Sequence, residues 1–306
     1  MKYNNSFFEL VGNTPLIKLN NMGYPKDVNV FAKMELLNPG GSIKDRVGIN
    51  ILKVAEEQGI LKEGGTIIEA TAGNTGIGLA FAGIQRGYKV IFVVPTKFSQ
   101  EKQDIMKILG AEIINTPKEL GMLGAVEKVK EILNEYPDYF WAKQFENEAN
   151  PQTHFLTTAP EIYDALDGQI DYFVAGAGSG GTFTGVLKYL KSKNKKIKGI
   201  LADPRGSVIG GNSDGSCSII EGIGNDFIPK TMDVSLIDKV EKIVDEDALM
   251  EIQLLAKREG ILAGGSSGSA LAAVRKNINS GIKGNIVVIL PDRGDRYLSK
   301  GIFNNN

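Results

Sequence analysis

The chain of 306 residues contains one cysteine, Cys217, and one histidine, His154. A single cysteine excludes an intrachain disulfide framework and a cysteine-based zinc site, and it favours a reducing compartment. A single histidine excludes sites in which several histidines bind a metal or share acid–base catalysis. We therefore predict no metal site, and we interpret His154 as a packed or capping residue.

The sequence also has no excess of charge of either sign and no long hydrophobic run. The formal net charge is −1, which favours neither nucleic acid nor an anionic membrane surface as a partner. No apolar run approaches the ~18 residues that a transmembrane helix needs, and residues 1–5 are polar. We expect a cytoplasmic protein that acts on small molecules, with one large domain or two of about 150 residues.

Glycine is abundant, with 37 residues that cluster where predicted strands pass into predicted helices. Strands are predicted at 28–33, 66–70, 89–95, 111–116, 171–175, 198–203 and 285–291. Helices are predicted at 45–58, 75–86, 99–109, 124–134, 184–191, 245–259 and 267–277. The alternation of strands and helices predicts an α/β fold whose parallel sheets are covered on both faces.

The run from Gly176 to Thr182 follows a predicted strand and opens a helix. Glycines let the backbone approach a ligand closely, and a helix N-terminus favours an anion. The sequence therefore indicates a phosphate site, with a tight turn or a dinucleotide site as alternatives. A dinucleotide site would need an acidic ribose ligand after the next strand, and the only candidate there, Asp203, is followed by Pro204.

Lys44 follows the glycine-containing segment 38–42 and stands at the start of a predicted helix. The helix dipole disfavours a cation there, which favours a neutral amine or an imine; a solvent-facing lysine is the alternative. A phosphate cradle together with such a lysine is what a pyridoxal 5′-phosphate (PLP) enzyme needs.

Two further glycine-containing runs could bind the rest of such a cofactor and its substrate. Segment 71–76 is a strand-to-helix turn whose N–H groups could bind a carboxylate, while Asn74 could hydrogen-bond a ring oxygen. In segment 262–269, a serine hydroxyl against a pyridine nitrogen would favour β-elimination over full carbanion chemistry. Helix capping is the alternative for both runs.

These four runs in this order resemble the cysteine synthase/cystathionine β-synthase family of fold-type II PLP enzymes. The resemblance extends from segment 11–16 to segment 290–297, essentially the whole chain. It implies two three-layer α/β/α domains with mostly parallel twisted sheets, like the tryptophan synthase β subunit. Residues 1–38 and 150–306 would form a larger PLP-binding domain, and residues 39–149 a smaller mobile domain. It also implies a homodimer.

The resemblance assigns roles to individual residues. Lys44 would form the Schiff base with PLP and act as the general base on the substrate α-proton. Asn74 would contact the 3′-oxygen of the cofactor, and Ser266 the pyridine nitrogen. The phosphate would lie against Gly178, Ser179, Gly180, Gly181 and Thr182. The substrate α-carboxylate would be bound by Thr71, Ala72, Gly73, Asn74, Thr75 and Gln144. Gly222, within segment 221–224, would line the cofactor and the substrate side chain.

The chain differs from the common family pattern at Ala72, where serine is usual, so one side-chain donor to the carboxylate is missing. Segments 38–46, 71–76, 98–103 and 295–300 are similar to the bacterial cystathionine β-synthase type. We therefore expect a catalytic core with neither a haem-binding extension nor a regulatory tail.

The implied reaction is β-replacement on an L-amino acid through an α-aminoacrylate. O-acetylserine or cysteine would be the donor, and homocysteine, sulfide or cysteine the acceptor. The alternatives are a cysteine desulfhydrase or lanthionine synthase that releases hydrogen sulfide, and a serine/threonine deaminase. A non-catalytic binding protein is disfavoured because Lys44 is present. Asp226, just after segment 221–224, is a candidate to bind the second amino acid's ammonium group or to activate the nucleophile; a surface aspartate is the alternative.

Overall fold

The structure is a computed structural model that describes residues 3–96 and 99–303. The chain divides into two compact units, each of which has its own parallel sheet. Unit 1 comprises the described residues up to Val11 and those from Ser42 to Ala149. Unit 2 comprises Gly12–Gly41 and the described residues from Asn150 onward. Phe98, which begins one of the family-like segments, and the chain end 304–306 lie outside the described residues.

Unit 1 alternates strands with helices. Its strands are β3 (Thr66–Ala70), β4 (Lys89–Pro95), β5 (Glu112–Thr116) and β6 (Phe140–Trp141), which form a parallel sheet in the order β5-β4-β3-β6. Its helices are α1 (Lys44–Glu57), α2 (Asn74–Ile84), α3 (Gln100–Ile108) and α4 (Gly121–Glu135). Short 3₁₀ turns occupy Phe7–Leu10 and Lys118–Leu120.

The sheet of unit 1 is covered on both faces because successive residues of a strand point to opposite sides. Ile67 belongs to the cluster that contains Ile51 of α1, whereas the next residue, Ile68, packs with Val129 of α4. Strand β3 is buried at every position, as expected for a parallel strand between two layers of helices.

Unit 2 has the larger sheet. Its strands are β1 (Leu16–Lys18), β2 (Val28–Lys33), β7 (Tyr172–Gly176), β8 (Lys198–Pro204), β9 (Lys239–Ile243) and β10 (Gly284–Ile289), in the order β1-β2-β10-β7-β8-β9. Its helices are α5 (Ala149–Thr153), whose first residue is the last of unit 1, α6 (Ala159–Ala165), α7 (Gly181–Lys193), α8 (Asp245–Glu259) and α9 (Gly265–Asn279). A π turn, His154–Thr158, joins α5 to α6, and 3₁₀ turns occupy Glu35–Leu37, Val234–Leu236 and Gly294–Lys300.

Unit 2 also has three layers. On one face, Val30 and Val288 of the sheet pack with Leu255 of α8 and Leu271 of α9. On the other face, Phe173 of β7 lies against Phe183 of α7, with ring centroids 6.2 Å apart. All strand pairs are parallel except β1 with β2. The predicted α/β/α fold with mostly parallel sheets is therefore confirmed.

The N-terminal segment, which the resemblance assigned to the larger domain, lies with unit 1 in the structure. The described residues before Gly12 belong to unit 1. The Phe7 ring lies 4.3 Å from that of Phe81 on α2, and the Arg86 guanidinium lies over the Phe8 ring. These aromatic contacts attach the segment to unit 1, and unit 1 resumes at Ser42 instead of residue 39. Within the described residues, no helix has the length and apolar character to cross a membrane.

Candidate active site

Lys44 is the first residue of α1, and the segment before the helix holds its backbone. Its N–H donates to the Ser42 hydroxyl at 3.2 Å, and Ser42 is fully buried. Helices α1 and α2 approach each other so closely that a Cβ atom on Gly78 would lie 2.4 Å from the Lys44 carbonyl oxygen. A Cβ atom on Gly48 would lie equally close to the Gly78 carbonyl. The two glycines therefore allow α1 and α2 to pack at this short distance beside Lys44.

The predicted carboxylate loop runs from the end of β3 into the first turn of α2. The N-cap of α2 is Gly73, and no side chain accepts a hydrogen bond at that cap. Thr71 instead accepts from the Gly73 N–H at 3.4 Å, while Ala72, Gly73 and Asn74 are half-buried. A glycine-capped helix N-terminus of this kind suits a carboxylate.

Gln144 lies beside this loop, as the resemblance implied. The Thr75 hydroxyl donates to the Gln144 Oε1 atom at 2.6 Å, and both residues are buried. Within unit 1, the structure thus brings together two of the predicted carboxylate ligands that are 69 residues apart in the chain.

Glu69 is a member of this site that the sequence analysis missed. It is 2% exposed, and its carboxylate accepts from the Gln144 N–H at 3.2 Å, the Trp141 indole N–H at 3.4 Å and the Ala70 N–H at 3.0 Å. Desolvation raises the pKa of Glu69 to about 7, and these hydrogen bonds oppose the rise. The signal in the sequence was one acidic residue inside the apolar strand 66–70.

The predicted phosphate loop follows β7 and leads into α7. Gly180 is the N-cap with φ +81°, and a Cβ atom there would lie 2.5 Å from the Met232 Cβ. A Cβ atom on Gly178 would lie 2.3 Å from the Gly222 carbonyl oxygen. The loop therefore requires glycine at both positions, and Gly222 lies beside Gly178. That these residues line one ligand remains a prediction.

Polar side chains hold this loop in place. The Asn225 amide donates to the Gly178 carbonyl at 2.6 Å, and the Thr231 hydroxyl donates to the Ser179 carbonyl at 2.5 Å. The Ser179 hydroxyl is buried and accepts from the Asn150 amide at 2.9 Å. Two hydroxyls and a glycine-lined helix N-terminus suit the phosphate of PLP, so the residues fit that cofactor.

Ser266 and Asp226 complete the predicted set in unit 2. Ser266 is buried in the first turn of α9, just after the N-cap Gly264. A Cβ atom on Gly264 would lie 2.2 Å from the Asp292 Oδ1 atom, and Asp292 accepts a hydrogen bond from the Tyr297 hydroxyl. Asp226 is exposed. The roles of Ser266 and Asp226 remain predictions.

No group of His, Cys, Asp and Glu among residues 3–96 and 99–303 could hold a metal ion.

Comparisons with known proteins agree with the fold. A family model described as "Pyridoxal-phosphate dependent enzyme" matches residues 7–292. The chain is 48% identical over 296 residues to the O-acetylserine dependent cystathionine beta-synthase of Bacillus subtilis, covering 96% of each chain. It is 46% identical over 298 residues to a cysteine synthase of Helicobacter pylori, covering 96% of this chain and 97% of that one.

Solved structures agree as well. The O-acetylserine dependent cystathionine beta-synthase of Helicobacter pylori superposes with a TM-score of 0.94 and 43% identity, over 99% of this chain and 100% of that one. A hydrogen sulfide-producing enzyme from Fusobacterium nucleatum superposes with a TM-score of 0.90 and 38% identity, over 96% and 100%.

The chain therefore belongs to the pyridoxal-phosphate dependent enzyme family, in the group that contains the cysteine synthases and cystathionine β-synthases. It is a PLP-dependent enzyme of the β-replacement type. The predicted family, fold class and cofactor are confirmed.

Proposed function

We propose that this enzyme joins O-acetylserine to the thiol of homocysteine and so forms cystathionine. In this reaction the acetate group leaves the β-carbon, the thiol sulfur bonds to that carbon, and the thiol proton is released. The relative of 48% identity, whose printed name is O-acetylserine dependent cystathionine beta-synthase, supports this choice of substrates. Sulfide or cysteine as the acceptor would give the cysteine synthase and lanthionine variants of the same chemistry.

The observation that carries the proposal is the Thr75–Gln144 contact at the glycine-capped start of α2. There, backbone N–H groups of Ala72, Gly73 and Asn74 would bind the α-carboxylate. Because Ala72 offers no hydroxyl, the side-chain contribution would come from Thr71 and from the Gln144 amide. The Thr75 hydroxyl would orient that amide by donating its proton to the Gln144 Oε1 atom. Glu69 holds the backbone of Gln144 and thereby places its amide.

Each unit contains residues that the family resemblance assigns to the cofactor. Lys44 and Asn74 belong to unit 1 and Ser266 to unit 2, as does the phosphate loop 178–182. PLP, when bound, supplies the electron sink that makes the α-proton acidic and lets the β-substituent leave. The Lys44 amine would remove the proton from the substrate α-carbon and return it to the same carbon after the thiol has added.

Asp226 has a separate proposed role toward the second substrate. It lies just after segment 221–224, whose Gly222 borders the phosphate loop. We expect Asp226→Asn to slow the reaction with homocysteine by about tenfold, the effect of a lost charge-assisted contact, and to leave the reaction with O-acetylserine alone unchanged. If both half-reactions are unchanged in stopped-flow absorbance measurements, the proposed role is wrong.

Hydrogen sulfide release from cysteine is the second candidate, favoured by the likeness to the hydrogen sulfide-producing enzyme of Fusobacterium nucleatum. The purified enzyme should be given cysteine alone, and O-acetylserine with and without homocysteine, while sulfide and amino-acid products are measured. Cystathionine with little sulfide supports the first candidate, and sulfide with serine or lanthionine supports the second. A keto acid and ammonia formed together with sulfide would also support the second candidate, because elimination from cysteine yields all three. A keto acid and ammonia from serine or threonine, with no product from cysteine or O-acetylserine, would contradict both candidates and indicate a deaminase.

The assembly and location of the enzyme are also proposals. Amino acids are its small-molecule substrates, and the family resemblance favours a homodimer in which unit 1 moves when substrate binds. The single cysteine, which is exposed, fits a reducing, cytoplasmic setting. Light scattering of the purified protein would test the dimer.

A further inference from the structure

One helical segment contacts both the Ser179 and the Thr182 hydroxyls of the predicted phosphate loop. Asn150 on α5 and His154 in the π turn are one helical turn apart, and both are 0% exposed. The Asn150 amide nitrogen lies 2.9 Å from the Ser179 hydroxyl oxygen. The His154 Nε2 atom lies 3.2 Å from the Thr182 hydroxyl oxygen. Neither residue was among the cofactor or substrate ligands expected from the sequence.

Glycines let α7 pack directly on this pair. A Cβ atom on Gly181 would lie 2.0 Å from the Asn150 Oδ1 atom, and one on Gly185 would lie 2.9 Å from the His154 Cβ. The start of α7, with the Thr182 hydroxyl on it, is therefore held at a fixed distance from the imidazole. Burying polar groups such as Asn150 and His154 under α7 costs free energy unless each group makes its hydrogen bonds.

Each hydroxyl has a single proton, and this limits the hydrogen bonds that Ser179 and Thr182 can donate. A hydroxyl has one proton to donate and two lone pairs with which to accept. Ser179 accepts from the Asn150 amide, so its own proton can be donated to a phosphate oxygen. Thr182 can do the same only if the proton in its contact with His154 is on Nε2. If Nδ1 were protonated instead, the Thr182 proton would be used on the imidazole.

A second threonine contacts the other nitrogen of the imidazole. The Thr158 hydroxyl lies 2.9 Å from the His154 Nδ1 atom and is fully buried. If Thr158 donates its proton to Nδ1, then Nε2 carries the imidazole proton and donates to Thr182. A neutral histidine has only these two tautomers, and the hydrogen bond at one nitrogen fixes the state of the other.

We propose that Asn150 and the Thr158–His154 pair are positioning residues that orient the Ser179 and Thr182 hydroxyls as donors to the cofactor phosphate, with His154 in its Nε2–H tautomer. The inference rests on the proposed assignment of loop 178–182 to the phosphate. It adds the direction of each hydrogen bond and a role for the only histidine of the chain.

The single histidine makes this proposal directly measurable. In protein labelled with ¹⁵N-histidine, long-range ¹H–¹⁵N spectra show one imidazole, and its two nitrogen shifts identify the tautomer. With PLP bound, as judged by visible absorbance, we expect His154 to be neutral with the proton on Nε2. A proton on Nδ1, or on both nitrogens, in the PLP-bound enzyme would overturn the inference while the proposed function stands. If PLP does not bind at all, the proposed function fails and the inference fails with it.

A variant pair separates this role from simple packing. Thr158→Val keeps the shape of the side chain but removes the donor to Nδ1, and Thr158→Ser keeps the donor. Thr157→Val is the matched control, because Thr157 lies in the same π turn and donates to the Thr153 carbonyl instead of the imidazole. The expected result for Thr158→Val is a Kd for PLP raised about tenfold, with an unchanged Kd for pyridoxal, which has no phosphate.

The other outcomes are equally informative. Thr158→Ser and Thr157→Val should bind PLP like the parent enzyme. If Thr158→Val weakens PLP and pyridoxal equally, or weakens neither, Thr158 does not act through the phosphate and the inference is wrong. If Thr158→Val does not fold, the tautomer measured in the unaltered enzyme still decides the question.

Discussion

Glu69→Gln should change how the stability of unit 1 depends on pH. Glu69 is fully buried, and desolvation raises its pKa from 4.5 to about 7. A carboxyl group with a higher pKa in the folded state binds its proton more tightly there than in the unfolded chain. Its contribution to stability is therefore fully present below pH 4.5 and is lost as the pH rises through about 7.

The size of the effect follows from the same values. A rise from 4.5 to about 7, at about 1.4 kcal/mol for each tenfold change in the proton equilibrium, corresponds to roughly 3 kcal/mol. Between pH 5 and pH 8 the parent enzyme should lose most of this amount relative to Glu69→Gln. The Gln side chain has no proton to release, so it removes this pH dependence whatever it costs in hydrogen bonding.

The only tryptophan of the chain reports on this site. Trp141 donates its indole N–H to Glu69, so its fluorescence follows the unfolding of unit 1 in urea. The difference in unfolding free energy between parent and variant should be measured at pH 5, 6, 7 and 8. Parallel pH profiles for the two proteins would refute the reasoning, because Glu69 would then not titrate in this range.

Two further substitutions test the placement of the catalytic groups. Gly78→Ala puts a Cβ atom 2.4 Å from the Lys44 carbonyl oxygen. We expect thermal unfolding to show a stability loss of about 1–3 kcal/mol. We expect a steady-state assay to show a fall in kcat of more than about tenfold. Thr75→Val removes the donor to Gln144 Oε1; we expect the KM for O-acetylserine to rise about tenfold in initial-rate measurements, with a smaller change in kcat.

Each of these variants has a matched control. Gly83→Ala lies on the same helix as Gly78, and its Cβ atom would meet the Ile67 and Val90 side chains instead of Lys44. It should lose stability but keep kcat; equal losses of kcat in both variants would contradict the proposed effect on Lys44. Thr75→Ser keeps the hydroxyl and should retain the parent KM, whereas a KM as high as that of Thr75→Val would point to packing alone.

The regular elements could be predicted from the sequence because their hydrophobic patterns are strong. The predicted strands 28–33, 66–70 and 89–95 match β2, β3 and β4 residue for residue. β1, β6 and β9 were missed. β1 and β6, with three and two residues, are too short to show alternation, and three of the five residues of β9 are charged. Their pairing is decided by neighbouring strands and not by local preference. The run 149–165 was missed because its short helices join through a π turn.

Some residues of the candidate site could be predicted from the sequence and others could not. Glycine-rich turns are visible in a sequence because they interrupt regular patterns, and they led to Lys44 and to the phosphate loop. Glu69, Asn150 and His154 are buried residues that act through contacts between distant segments. A single sequence gives their chemistry but not their neighbours, so Glu69 passed as part of a strand and His154 as a packed residue.

The most direct test of the account is to find which lysine holds the cofactor. The PLP-loaded enzyme should be reduced with borohydride, which fixes the cofactor to its lysine, then digested and analysed by mass spectrometry. The account predicts a pyridoxyl group on Lys44, and no modified peptide and no visible absorbance band in Lys44→Ala. A modification on any other lysine, or an unchanged absorbance band in Lys44→Ala, would contradict it.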